Sequence, residues 1–222
     1  MNEVNNLTFK FNSDSQVLKK NIVYLFLKRT IDILGSIAGL ILFSPIFIII
    51  AIAIKLEDKG PAIFSHKRLG MNGKYIKIYK FRSMFCDAEK MLESLSPEQK
   101  KEFQENFKLE NDPRITKLGK KLRKTSLDEL PQFLNVLKGE LTLVGPRPII
   151  EIELEKYGEF AAKFLSVKPG LTGLWQVSGR SDTTYEERVK MDMDYIDNRT
   201  IIGDVIIILK TVTTVISKEG AK

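Results

Sequence analysis

Between Ile33 and Ile54 there is no charged side chain, and Ser44-Pro45 sits in the middle of that run. Those 22 residues would make a helix of about 33 Å, enough to span a hydrocarbon core of about 30 Å. The run begins too far into the chain for a secretory leader, and no small-residue cleavage pattern follows it. Pro45 lacks an N–H and clashes with the preceding turn, which predicts a kink or a break there. Each half is then about 15 Å long, roughly half a bilayer core. Ser44 can satisfy backbone groups freed by the proline. Lys19, Lys20, Lys28 and Arg29 precede the run; Lys55, Lys59, Lys67 and Arg68 follow it. Positive flanks are drawn to the cytoplasm, and here both ends are positive. A kinked crossing and a helix that bends and leaves by the same face both fit these residues. The paired basic flanks favour the second.

The remainder of the 222-residue chain is long enough for one cored domain. Its formal charge of +7 suits an anionic partner: lipid, nucleic acid or a phosphorylated substrate. One cysteine, Cys86, excludes an internal disulfide and is expected to be a buried thiol rather than a catalytic one. His66 is the only histidine. It has no zinc-ligand spacing around it and reads as a surface or hydrogen-bonding residue. There is no repeat, no Walker loop and no G-x-G-x-x-G pattern.

The organisation reads as a flexible segment over residues 1–18, a membrane helix-break-helix over 19–56 starting from a helix near Gln16, and a cytosol-facing domain with interfacial helices over 57–222. In "GPAIFSHKRLGMNGKYIKIYKFRSM", Asn72-Gly73 predicts a hairpin turn between two extended runs. Strand alternation puts Ile76, Ile78, Lys80 and Arg82 on one face, so two cations end an otherwise apolar stripe. Asp87 to Leu109 reads as a solvated helical pair interrupted at Ser96-Pro97. In "RITKLGKKLRKTS", Ile115, Leu118 and Leu122 line one side of a basic helix suited to anionic lipid or phosphate. "DVIIILKTVTTVIS" is too short for a second span and reads as a core or interfacial helix.

The stretch "TSLDELPQFLNVLKGE" carries the chemistry. Leu130, Phe133, Leu134 and Leu137 follow the spacing of a buried helical face, and Gly139 ends it. A Ser126-x-x-Glu129 capping box would place Pro131 where its absent N–H is missed. A helix starting at Asp128 puts Pro131 in the first turn, where N–H groups lack partners anyway. Asp128 then lies at or just before a helix N-terminus, with Glu129 beside it. In isolation such a pair is ordinarily a cap and a dipole complement. Alternatively, adjacent carboxylates divide labour, one attacking or taking a proton and the other binding a divalent cation. Nearby "LTLVGPRP" holds Arg147 between two prolines, a stiff setting for a phosphate clamp. "KPGLTGLWQVSGRS" predicts a glycine turn, a short strand holding Trp175 and Gln176, and a turn carrying Arg180.

Four segments together, "KRTIDILGSIAGLILFSPIF", "GPAIFSHKRLGMNGKYIKIYKFRSM", "TSLDELPQFLNVLKGELTLVGPRP" and "KPGLTGLWQVSGRS", resemble in type and order the bacterial sugar transferases. These are monotopic polyprenyl-phosphate phosphoglycosyl transferases, and the likeness covers Lys28 to near the C-terminus, the catalytic module alone. It implies an α+β, mostly helical, membrane-associated monotopic domain, with a re-entrant helix kinked at Ser44-Pro45, a small β-hairpin and amphipathic interfacial helices. It implies transfer of a sugar 1-phosphate from a UDP-sugar to undecaprenyl phosphate with release of UMP, at the cytoplasmic face of the bacterial inner membrane. By the same likeness Asp128 is the nucleophile and Glu129, with Asp128, a Mg²⁺ ligand. Lys80, Arg82, Arg123, Arg147 and Arg180 match basic positions that hold phosphates, and Asp192 matches a further acidic position among the substrate-binding residues. Membrane lipid and downstream glycosyltransferases are the implied further partners. A non-catalytic basic membrane adaptor is the alternative. Nucleic acid is not expected, because recognition helix and stacking platform are both missing.

Overall fold

The computed structural model describes residues 22–106, 109, 111–179 and 183–217. The expected flexible segment over residues 1–18, the helix start near Gln16 and Arg180 lie outside the described residues. Helix α1 spans Ile22–Glu57 and is followed by a hairpin, β1 (Ile63–Leu69) and β2 (Tyr75–Phe81). Short helices α2 (Ala88–Glu93), α3 (Pro97–Asn106), α4 (Lys117–Lys124) and α5 (Gln132–Lys138) come next. Strand β3 (Thr142–Val144), α6 (Ala161–Leu165), β4 (Gly170–Thr172), α7 (Tyr185–Asn198) and α8 (Ile201–Ser217) complete the order. The description as mostly helical with a small antiparallel hairpin holds, with a second, parallel pair formed by β3 and β4.

Helix α1 has Pro45 inside it and runs as one element, so the expected helix-break-helix is a single helix here. The missing Pro45 N–H would orphan the carbonyl four residues earlier, Ile41. Ser44 Oγ donates to that carbonyl at 2.8 Å and replaces the lost bond. Ser44→Ala should therefore cost about 0.5–1.5 kcal/mol, read by thermal unfolding in detergent. In a Pro45→Ala background, where the backbone N–H returns, the same change should cost almost nothing.

One side of α1 is fastened along the rest of the protein. Near its start, Arg29 donates to the Val136 and Leu137 carbonyls at the end of α5, at 2.7 and 2.8 Å. Buried Asp32 accepts from Thr142 Oγ1 and the Leu143 N–H. Midway, the Phe133 ring lies so close to Gly39 that a Cβ there would meet it at 2.8 Å. Further on, Phe47 packs edge-on against Phe81, and Ile50, Ile54 and Leu122 close a small core around it. At the end, Glu57 accepts the Leu118 N–H at 2.9 Å. The opposite side exposes Leu34, Ile41, Leu42, Ile48, Ile49 and Ile52. The helix is long and apolar enough to cross a membrane, by length and composition.

The main core lies under the hairpin and between α5, β3, α6 and α7, with Val136, Leu141, Val144, Tyr157, Phe164 and Ile196 at its centre. In the hairpin, Asn72 and Gly73 both take left-handed φ, as the turn signal predicts. The expected strand at Trp175-Gln176 is instead a 3₁₀ turn, Trp175–Val177. The strand comes earlier, at Gly170–Thr172, where the chain pairs with β3. Cys86 is exposed rather than buried; its thiol donates to the Lys59 carbonyl at 3.1 Å.

Candidate active site

Helix α4 begins at Thr116, whose hydroxyl accepts the Gly119 N–H. Gly119 touches the Ser83 backbone so closely that a Cβ would lie 2.0 Å from its carbonyl oxygen. That contact seats α4 against the end of β2. Past α4 the chain reverses at Ser126, a left-handed residue with φ 56°. For a residue with a side chain this costs about 1–2 kcal/mol. The reversal leads into a 3₁₀ turn, Leu127–Glu129, and then α5. Asp128 and Glu129 therefore sit on a turn just ahead of the helix N-terminus. Pro131 flanks α5, where no N–H is needed. The capping box rejected from the sequence does not form; Ser126 makes no side-chain cap.

The hairpin brings cations to this turn. Fully buried Asn135 accepts the Tyr79 N–H and donates to the Lys77 carbonyl and to Glu140. It thereby locks β2 against α5, and it escaped the sequence reading because an asparagine in a leucine-rich helix carries no signal by itself. With β2 so fixed, Lys80 Nζ reaches Glu129 Oε1 at 2.6 Å and Asp128 Oδ2 at 3.8 Å. Arg147 NH1 stands 4.0 Å from the same Glu129 oxygen. Arg123 donates to Ser83 Oγ at 2.9 Å and feels the Asp128 charge. Burial pushes the Asp128 carboxyl above its ordinary range; Lys80 pulls it back, and Glu129 adds to the rise. The result is a nearly buried acid beside Lys80 and Arg123, next to Glu129, which lines a cleft with Arg68, Lys80, Gln132, Arg147 and Gln176.

Two expected substrate contacts lie elsewhere. Arg82 is buried and spent on the segment after α1: it donates to the Asp58 side chain and carbonyl, to the Pro61 carbonyl and to Cys86 Sγ. Strand β2 ends at Phe81, so the alternation that put Arg82 beside Lys80 does not extend to it. Asp192 is 1% exposed in α7 and accepts from Tyr157 Oη at 2.7 Å, within the core rather than at the dyad. Burial raises its pKa to about 7, against the opposing pull of Tyr157 and Arg188. The folded state thus holds a proton that the unfolded chain gives up at an ordinary carboxylate pKa. The stability this proton brings is full below about pH 4 and is lost as pH rises through about 7. Unfolding between pH 4 and 8 should show wild type losing a few kcal/mol relative to Asp192→Asn, which cannot titrate.

The two acids also bear on a cation. Among the described residues no three His, Cys, Asp or Glu side chains converge as a ligand group. Mg²⁺ does not need such a cage, since it is ordinarily held by one or two carboxylates, water and substrate phosphates. Asp128 and Glu129 fit that donor set.

Arg68 was read from the sequence only as a flanking charge. Strand β1 instead turns it into the cleft, opposite Ile76 in the hairpin register.

A family model described as "Bacterial sugar transferase" matches residues 23–218. The undecaprenyl-phosphate galactose phosphotransferase of Salmonella typhimurium is 49% identical over 88% of this chain, which covers 42% of that protein. The exopolysaccharide production protein ExoY of Rhizobium meliloti is 44% identical over 87% of each chain. The UDP-glucose:undecaprenyl-phosphate glucose-1-phosphate transferase of Escherichia coli K12 is 43% identical over 84% of this chain and 39% of its own length. The chain thus spans less than half of the Salmonella and Escherichia relatives.

Proposed function

The chain belongs to the bacterial sugar transferase family, and we propose that it moves a sugar 1-phosphate from a UDP-sugar to undecaprenyl phosphate. The observation that carries this reading is a carboxylate, Asp128, nearly buried beside Lys80, with Arg123 and Arg147 around the dyad. Attack on a pyrophosphate needs charge neutralisation more than a strong base, and this arrangement supplies it. The Asp128 carboxylate attacks the phosphorus that bears the sugar. The bond from that phosphorus to the bridging oxygen breaks, and UMP leaves with the electron pair. An oxygen of the polyprenyl phosphate then attacks the same phosphorus, expelling Asp128 and forming the sugar diphospholipid. Lys80 and Arg147 steady the phosphate oxygens and hold Glu129 in place. Mg²⁺, held by Glu129 and Asp128, would supply further charge neutralisation on the diphosphate.

The reading extends to the membrane. Both ends of α1 are tied to the same body, through Arg29 and Asp32 at one end and Glu57 at the other. That supports an insert that enters and leaves by the cytoplasmic face, with the exposed apolar side of α1 in one leaflet. The apolar side of α8, with Ile202, Ile206 and Leu209 exposed, and the exposed lysines Lys117, Lys120, Lys121 and Lys124 of α4 suit the interface. Reporter cysteines at Val23 and Lys59, in a Cys86→Ser background, should both label from the cytoplasmic side of sealed vesicles. Labelling from opposite sides would mean a crossing.

The relatives' names cover galactose, glucose and N-acetylgalactosamine donors, so the test is a panel of those three UDP-sugars with Mg²⁺. With a true donor and no lipid, UMP should appear to about one per enzyme, then continue on adding undecaprenyl phosphate. A basic membrane adaptor would bind vesicles and release no UMP.

A further inference from the structure

The cleft holds a further cation, Arg68, beyond the two that pair with Glu129. Arg68 donates to Glu153 Oε1 at 3.3 Å and leaves its guanidinium on the cleft wall. Burial and the like charge of Arg147 both press against its protonated form, while Glu153 and Glu129 support it. Two guanidiniums brought together in a partly dry cleft are costly unless an anion comes between them. Glu129 meets Lys80 at 2.6 Å and Arg147 at 4.0 Å, and its charge also supports Arg68.

Its position along the hairpin says which anion. Lys80 lies opposite Phe64 and Arg68 opposite Ile76, so the two cations share one face of the hairpin four residue pairs apart along the ladder, about 13 Å of strand. Phe64 is at the end near α1, and Arg68 at the end near the loop after β3, where the Leu69 N–H bonds the Ile149 carbonyl. Arg123 flanks Asp128 from α4, whose Leu118 and Leu122 pack with α1. Arg123 thus approaches Asp128 from the α1 side, while Arg68 and Arg147 line the cleft on the Glu129 side. In-line displacement puts the leaving group opposite the nucleophile.

Resting on the transferase reading above, we propose that Arg68 binds the phosphate of the leaving nucleotide, and that Glu153 is the positioning residue that aims it. Glu153 is well placed for that task. It is the third residue of a 3₁₀ segment, Glu151–Phe160, and its Oε1 also accepts the Ile150 N–H at 3.2 Å. Its other carboxylate oxygen lies 3.5 Å from the Tyr185 hydroxyl. The carboxylate is fixed from the loop side and from α7, so Arg68 meets a stationary partner. Glu153→Gln keeps the oxygen that caps Ile150 and removes the charge that holds the guanidinium.

The probes are UMP and uridine, which differ by the phosphate, each measured as an inhibitor of UMP release by the intact protein. Arg68→Ala should weaken UMP about tenfold, the loss of a charged hydrogen bond, and leave uridine within about twofold. Arg68→Lys, which keeps the charge without the fork, should fall between. Glu153→Gln should weaken UMP about threefold in the wild-type background and have no effect once Arg68 is Ala, because it acts through that residue. Equal weakening of UMP and uridine would overturn the assignment. So would a Glu153→Gln effect that persists without Arg68, or an unchanged UMP constant with a raised KM for undecaprenyl phosphate. A wild-type protein that neither binds UMP nor releases it would overturn the transferase reading itself, an outcome visible before any variant is made.

Discussion

Asp128→Asn is expected to lower sugar-phosphate transfer at least about a thousandfold, the scale seen when a nucleophile is removed and binding groups stay. The amide matches the carboxylate in size, and Asp128 is nearly enclosed, so packing should survive. It has no charge to offer phosphorus, and Lys80, 3.8 Å away, would lose one of its two acids but keep Glu129. Donor affinity should therefore change much less than turnover. Rates of UMP release and of lipid-linked product, measured with the same donor, check this. If Asn at this position kept full turnover, the carboxylate at 128 would not be the attacking group.

The largest effect on stability is expected at Asp204, far from the dyad. It is 3% exposed and takes the Lys28 ammonium at 2.7 Å and the Tyr195 hydroxyl at 2.8 Å, with Tyr24 at 3.3 Å. Asp204→Ala removes the counter-charge of a part-buried ammonium, which keeps only neutral partners in the Val144 carbonyl and the Tyr195 hydroxyl, and this should cost about 3–5 kcal/mol. That is a large share of the roughly 5–15 kcal/mol that holds a domain together. Lys28 belongs to α1 and Asp204 to α8, so the loss should loosen the start of α1 first. Replacing both partners by residues of similar shape, Lys28→Met with Asp204→Leu, should recover most of the loss, because no unpaired charge remains. Thermal unfolding in one detergent, with limited proteolysis near the start of α1, reads both effects.

Local chemistry made part of this architecture legible from the residues alone. Asn72-Gly73 turns the hairpin, Ser96-Pro97 separates α2 from α3, and Pro131 sets the start of α5, because each residue acts within a few positions of itself. What escaped depends on partners distant in the chain. Arg82 looked like a phosphate contact until Asp58, across the turn from α1, was seen to claim it. Pro45 predicts a kink or a break through its missing N–H, and the helix continues across it where Ser44 Oγ takes up the Ile41 carbonyl, a bond that composition does not reveal. Asn135 and Glu153 carry no motif at all; their weight comes from what β2 and β1 bring against them. The dyad itself was found through its neighbours in sequence, whereas the cations that give it meaning are gathered by the hairpin.

Intact-protein mass after mixing the enzyme with its UDP-sugar, with no lipid acceptor present, addresses the attacking role of Asp128 most directly. The account predicts a species heavier by one sugar phosphate, with the modification mapped to Asp128, chased away by undecaprenyl phosphate and missing in Asp128→Asn. An unmodified mass, with UMP formed only when the acceptor lipid is added, would contradict it.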